Sequence, residues 1–424
     1  MKSLGLMLTL SLSVGAHAYD AKPVVNWNTA LLEMAQAEDG FLTLKGLRTV
    51  TMMHIAMHDA LNAVDPRYRS FALSETAPQA DAPVAMCEAA FRAAVSQYPD
   101  RTEALEALHT PCLTTDASTV RKSIALGKRA ANAILKRRDD DGWDTEADYQ
   151  WHPMAPGVYA EFEEHSGTPE GFIFGAGWAR AQPFALSQPD QFRAPPPPKI
   201  ASDAYARAFH EVKAVGRFQS MERTPDQMHL ALWWKDFAEN SHNRLARDLI
   251  DKDDLAPHNA VRLLALLNIA IYDAYVSSFD NKFHYNHWRP YTAIRWAERD
   301  GNPDTQAEPT WTNTHRHTYA FPSYPSAHGT ACAAAMSVFE EVFGADYAFT
   351  MRTPTVDVAG PFSGKIEMQP PTRSFATFRE AADECGASRV YLGIHFRYDS
   401  VAGVALGRQV GEHAIARRLR PATD

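Results

Sequence analysis

Three separated stretches of this chain hold the residue types needed to bind and work on an oxygen-rich anion. The first, Lys282 to Pro290, supplies Lys282 and Arg289. The second, Phe321 to Ala333 (FPSYPSAHGTACA), supplies Ser326, Ala327 and His328. The third, Ser388 to Asp399, supplies Arg389, His395 and Asp399. Arginine offers a planar fork of donors and lysine a point charge, and both suit an anion with several oxygens. Pro325 and Ser326 open a run of small and apolar residues that reads as a buried helix, with Pro in the first turn and Ser at the cap. A helix start presents free N–H groups and a positive dipole end to an anion, and His328, one turn in, faces whatever is bound there. His395 and Asp399 are four apart, so on a helix the carboxylate can hold the imidazole and fix its tautomer. Arg389 and His395, six apart, point to different faces of an unbroken helix; Gly393 is placed to break it so that both reach one site. Each residue alone is ordinary, and a capped core helix with scattered cations is the bland alternative. The set, in order and at these separations, is what points to a site.

The pattern Lys-x6-Arg-Pro, Pro-Ser-x-His and Ser-Arg-x5-His-x3-Asp resembles the signature shared by vanadium-dependent haloperoxidases and the type 2 phosphatidic acid phosphatase superfamily. The words WRPYTAIR, FPSYPSAH and GIHFRYD are similar to those of the bacterial haloperoxidase-like branch, and a weaker likeness continues at IAMHDALNAVD in the N-terminal half. The resemblance implies an all-α, multihelical fold of two related helical bundles, with the anion site in the C-terminal one. It also implies vanadate as cofactor in a haloperoxidase, with His395 as the vanadium ligand. Lys282, Arg289, Arg389, the Ser326 hydroxyl and the Ala327 N–H would hold the oxygens, His328 would manage protons, and peroxide and halide would be the substrates. In a phosphatase the same pocket takes a phosphate monoester without a cofactor. His395 then forms a phosphohistidine, Asp399 raises its basicity and His328 protonates the leaving alcohol. A non-catalytic phosphate- or vanadate-binding protein is the third reading; the pair His328 and His395 speaks against it, because capture alone needs no proton shuttle. The family's usual third residue of the central motif is Gly, and here it is Ala327, which keeps the N–H but narrows the space beside the anion. Asp273, shortly before Lys282, is expected either to orient a site cation, as a buried carboxylate does in this family, or to form a plain interface salt bridge.

The elements that must position these residues are mostly helical. Helical periodicity is expected over Asn28–Ala37, Leu47–Val64, Pro83–Gln97, Ala117–Arg138, Asp203–Gly216, Pro225–Asn240, His258–Ser277, Tyr291–Arg299, Ser326–Phe343, Phe375–Val390 and Asp399–Leu419, with few strand-like alternations. The pattern is lost between Asp139 and Lys199, a stretch rich in Pro, Gly and aromatic residues that ends in Pro195–Pro198. It reads as an irregular crossover between residues 19–138 and a C-terminal bundle over 200–424. Arg48-x5-His54-Ile-Ala-x2-Asp59-Ala aligns with Arg262-x5-Asn268-Ile-Ala-x2-Asp273-Ala, a hint of duplication or a chance likeness of two amphipathic helices.

With 424 residues, 45% of them hydrophobic, the chain can bury a large core with room for two lobes. A net charge of −9 argues against nucleic acid or an anionic membrane surface as main partner, so Lys and Arg gathered in the motifs would be a local cationic pocket. Residues 1–18 read as an export signal, with Lys2, an apolar run too short to span a bilayer, and Ala16-His17-Ala18. No other stretch looks long and uncharged enough to cross a membrane, so the expectation is a soluble protein, periplasmic or secreted. Of the four cysteines, Cys87 and Cys112 bracket a short helical region and are the expected disulfide pair; Cys332 is expected to be merely buried. His54 and His58, with Asp59, have a metal-like spacing but no evident further His or Cys ligand, and read as polar residues at a helix interface. His284, His287, His315 and His317 are expected mostly at the surface or rim. Trp233-Trp234 reads first as packing and second as a pocket wall.

Overall fold

Thirteen α-helices run through residues 19–39, 44–113, 115–146, 149–160, 172–360 and 363–422, the residues described by the computed structural model. The expected export signal, residues 1–18, lies outside them. The first helices are α1 (Lys22–Asp39), α2 (Leu44–Val64), α3 (Ala82–Gln97), α4 (Thr102–His109) and α5 (Ala117–Arg137). After the crossover come α6 (Asp203–Val215), α7 (Pro225–Trp233), α8 (Ala238–Lys252), α9 (Pro257–Tyr285), α10 (Pro290–Trp296), α11 (Ala327–Phe343), α12 (Phe378–Tyr391) and α13 (Arg397–Arg417). The fold is all-α. Four short strands interrupt it: β1 (Phe349–Arg352) pairs antiparallel with β4 (Thr372–Phe375), and β2 (Thr355–Asp357) with β3 (Lys365–Glu367). They form a nested double hairpin between α11 and α12, which the periodicity does not announce.

α2 packs on α3, α5 and α9, while α9 packs on α11 and α13, so one apolar core runs through both helical sets. α9 corrects two expectations. It is long and apolar enough to cross a membrane by composition, yet 94% of that window is buried inside the protein. It is the central core helix. It also continues two turns past Ser277, because its polar residues find partners: Asn281 donates to the Phe192 carbonyl and accepts from the Ala194 N–H. Buried polar groups are tolerated when so satisfied. That extension places Lys282 on the helix. The stretch expected as one helix from Pro225 to Asn240 instead breaks after Trp233, and α8 begins at Ala238.

α13 lies close against α11. A Cβ at Gly407 would stand 2.1 Å from the Thr330 carbonyl oxygen, and one at Gly403 2.5 Å from that of Ser326. Two disulfides tie helices together: the expected Cys87–Cys112, and Cys332–Cys385 joining α11 to α12. The second corrects the reading of Cys332 as a lone buried thiol; its partner is 53 residues away, beyond the reach of local spacing.

Candidate active site

Lys282 sits in the last turn of α9, Arg289 caps α10, Ser326 caps α11, Arg389 ends α12, and Asp399 stands in the first turn of α13. Pro325 lies before the cap, joined to Tyr324 by a cis peptide, rather than inside the first turn. His395 falls in the short link between α12 and α13. The break is made at Gly393, whose φ is +81°, and a Cβ there would stand 2.3 Å from the Gly216 carbonyl oxygen. Only glycine meets both demands.

These residues converge. His395 Nδ1 lies 2.9 Å from Asp399 Oδ2 and 3.2 Å from Ser323 Oγ. With the proton on Nδ1, the Nε2 lone pair is left open, and Arg289 Nη1 lies 3.3 Å from it and 3.1 Å from the Ile394 carbonyl. Arg289 Nε donates to the Phe321 carbonyl at 2.9 Å, and its Nη2 is buried with no partner. Lys282 Nζ donates to the carbonyls of Pro322 and Ser323 at 2.9 and 2.7 Å, leaving one of its three donors for another acceptor. Both cations face the ring of Phe321, at 4.6 Å for Arg289 and 5.2 Å for Lys282. Arg389 donates to Ser388 Oγ and, at 2.7 Å, to the Trp234 carbonyl. Ser326 Oγ accepts from the Gly329 N–H at 3.2 Å, so its own proton is free to donate outward.

Among the described residues, none of the three cations is ion-paired with a carboxylate; each is held by neutral carbonyls, a hydroxyl or a ring. All are buried, and the one carboxylate among them, Asp399, accepts from His395, Ser323 and the Phe396 N–H. Burial pushes Lys282 well down, and Arg289 and Arg389 down to about 10. The carboxyl of Asp399 is pushed up by burial against the pull of Ser323 and Lys282. Burial and then the surrounding cations depress His395 and His328 well below the ordinary histidine range, so both imidazoles are neutral near pH 7. Buried charge without a partner is unfavourable by several kcal/mol, about 3–5 for a broken pair, and an oxyanion would relieve it.

His328 is turned by the Trp234 carbonyl and its Nε2 is buried with no partner. Its ring nitrogen lies within 4.8 Å of Cys332 and Cys385, but their sulfurs are bonded to each other, so this is not a metal site. His54 Nδ1 lies 2.8 Å from the Val50 carbonyl of its own helix, and His58 Nδ1 3.1 Å from Asp59.

Asp273 takes neither expected role. Its carboxylate accepts the N–H groups of Phe184, Ala185 and Leu186 at 2.6, 2.7 and 2.9 Å, holding the crossover to α9. Among the described residues it neither contacts Lys282 nor forms a salt bridge. His287 and His315 are buried, against the expectation of rim positions, and His287 Nε2 lies 2.8 Å from the Tyr398 hydroxyl.

Sequence reasoning missed Ser323, which bridges His395 and Asp399, and Phe321, the ring beneath the cations. Both lie inside the central stretch, and the first serine of FPSYPS, three residues before the cap, was the available signal for Ser323. The role of the Trp234 carbonyl had no signal, since any residue type supplies a carbonyl.

Three buried cations with no carboxylate partner among the described residues, gathered near a neutral imidazole, form an arrangement able to receive an oxyanion. Residues 262–423 match the family model described as the vanadium chloroperoxidase second helical-bundle domain. Vanadium chloroperoxidase of Curvularia inaequalis is 27% identical over 264 residues, 49% of this chain, and the match spans 43% of that relative's length. The fold is that of a bacterial vanadium-dependent iodoperoxidase, with a TM-score of 0.76 and 23% identity over 96% of this chain and 98% of that one. A bacterial vanadium-dependent chloroperoxidase in its holo form superposes with a TM-score of 0.67 and 17% identity, covering 88% and 92%. The likeness is thus to vanadium haloperoxidases, in sequence over residues 262–423 and in fold over most of the chain.

Proposed function

We propose that the protein is a vanadate-dependent haloperoxidase-like enzyme that oxidises halide with hydrogen peroxide. One observation carries this reading: the Nε2 lone pair of a neutral His395 meets Arg289, while Lys282 and Arg389 also act on the ring, and among the described residues none of these three buried cations has a carboxylate partner. The orphaned Arg289 Nη2 and the outward Ser326 hydroxyl are further donors awaiting an oxygen. This donor set fits vanadate. The relatives bearing the same fold support a haloperoxidase over a phosphatase.

Bound vanadate would supply a Lewis-acidic centre that activates peroxide toward halide. His395 would ligate it through Nε2, with Asp399 and Ser323 holding the proton on Nδ1. Lys282, Arg289, Arg389, Ser326 and the Ala327 N–H would hold the oxygens and keep negative charge stabilised without rearranging. His328, neutral at rest, would take up and return a proton at Nε2. The Ala327 methyl, beside that N–H, narrows the room for anything bulkier than a small oxyanion. Export, expected from residues 1–18, belongs to the same proposal.

The test is the purified protein after vanadate loading. Peroxide-dependent bromination or iodination of a phenolic dye, absent without vanadate, supports the proposal. Hydrolysis of a chromogenic phosphate ester, inhibited by vanadate, would assign the site to phosphoryl transfer with His395 as nucleophile. Anion binding with neither activity would make it a binding protein.

A further inference from the structure

Halide oxidation takes in one peroxide, one halide and one proton, and releases one hypohalous acid and one water. The proton must reach a buried cup whose cations repel it and whose two histidines are neutral. Beside that cup lies a buried carboxyl that nothing so far uses. Glu239, in the first turn of α8, is 3% exposed and accepts a 2.6 Å hydrogen bond from the Tyr275 hydroxyl. Tyr275 stands seven residues before Lys282 on α9, which is two turns, or roughly 10 Å, along the same helix face.

The groups that reach this pair are few. Asp236 acts on Glu239 from its own N-terminal side, and Tyr319 senses Glu239 from the extended segment before the central motif. Arg389 of α12 acts on both Tyr275 and Tyr319, and Arg289 lies 5.9 Å from the Tyr319 ring. His242, one turn along α8, bonds to the Ala238 carbonyl and is held neutral by burial. The charge that reaches Glu239 is thus another carboxylate, and its side-chain partner among the described residues is a phenol on which one cation of the cup, Arg389, acts. A buried carboxyl without a cation is a poor structural element, and such groups gather at functional sites.

We propose that Glu239, acting through the Tyr275 hydroxyl, supplies the proton that each halide oxidation consumes. This rests on the haloperoxidase reading of the cup. The carboxylic acid passes its proton to the Tyr275 oxygen as that hydroxyl releases its own toward the cup, where it leaves in the product water. Solvent then reprotonates the carboxylate. Burial raises Glu239 to about 7 from the ordinary 4.5, so the acid form is populated at neutral pH and lost above it.

The test compares wild type, Glu239→Gln and Tyr275→Phe after vanadate loading, with kcat for iodide or bromide oxidation followed from pH 5 to 9. Both variants are expected to lose about tenfold in kcat below pH 7 and to lose the inflection near 7, with KM for halide unchanged. A second readout needs no vanadate: the infrared difference between wild type and Glu239→Gln should contain the band of a protonated carboxyl that titrates near pH 7. Glu239→Asp should partly restore the rate. An active wild type whose pH profile survives in Glu239→Gln overturns the proposal and leaves the haloperoxidase reading intact. So does a Glu239→Gln that only melts earlier. A wild type that oxidises no halide overturns the underlying reading, and this proposal with it.

Discussion

The two helical sets are built alike and differ in charge. In the first, Asp59 of α2 accepts the N–H groups of Phe71, Ala72 and Leu73; in the second, Asp273 of α9 accepts those of Phe184, Ala185 and Leu186. Both loops read Phe-Ala-Leu-Ser. α3 is capped by Asp81, and its disulfide cysteine, Cys87, follows six residues later; α11 is capped by Ser326, and Cys332 follows at the same distance. Gly127 of α5 meets the Ala85 carbonyl, four residues past the first cap, as Gly407 of α13 meets that of Thr330, four past the second. The repeat glimpsed at Arg48 and Arg262 is thus one part of a longer correspondence. The contrast lies at the caps and cations. In the first set the helix start is occupied by a carboxylate, and the buried Arg48 and Arg138 both pair with Asp141. In the second the cap is a neutral hydroxyl, and Lys282, Arg289 and Arg389 have no carboxylate partner among the described residues. One frame is made structural by supplying its own anions and made receptive by withholding them.

His395→Ala has the largest expected effect on the receptive side. It should remove halide oxidation by a factor on the order of 10³ or more while the melting temperature stays near wild type, because it deletes the proposed ligand atom. Retained turnover would misplace the site. Ser326→Asp makes the second cap like the first. Vanadate affinity, measured by calorimetry, should fall about 100-fold or more, since a buried carboxylate would take the anion's place. The mirror change, Asp81→Ser, should leave vanadate affinity unchanged and alter stability by at most about 1 kcal/mol, as both residues cap well.

Glycine contacts sharpen the contrast further. Gly407→Ala and Gly127→Ala each force a Cβ against a carbonyl oxygen, at 2.1 and 2.5 Å, and each should destabilise by about 1–3 kcal/mol in denaturant titrations. Only Gly407→Ala should also lower activity per folded molecule, because Thr330 shares the first turn of α11 with His328. The last contrast concerns pH. Burial, opposed by the three N–H groups, raises the Asp273 carboxyl to about 6 from 3.8. The unfolded chain therefore loses this proton first, and the group's contribution to stability is greatest below pH 4 and declines as pH rises through 6. The full span is up to about 3 kcal/mol. In Asp273→Asn that decline should vanish from the stability curve; its persistence would show that another group carries it.

Much of the site was legible because its chemistry depends on residue type and local order. The Ser326 cap, the break at Gly393 and the His395–Asp399 pair all follow from spacings of a few residues. The failures have a common origin in contacts across long separations. Asp273 and Asp399 look equivalent in sequence, as carboxylates near site cations, yet one faces a loop 87–89 residues away and the other faces His395. The Phe-Ala-Leu-Ser repeat was visible in sequence, but its meaning required seeing which carboxylate each copy meets.

By itself the sequence determined the residue types of the cup, the order of its three segments, the predominance of helix and the local Cys87–Cys112 bond. Tertiary structure alone decided which cations would be left without a carboxylate, that Cys332 would meet Cys385, and that Ser323 would bridge His395 to Asp399. The reason is that hydrogen-bonding capacity belongs to a residue, whereas desolvation and charge compensation belong to its neighbours, which the chain brings together only when it folds.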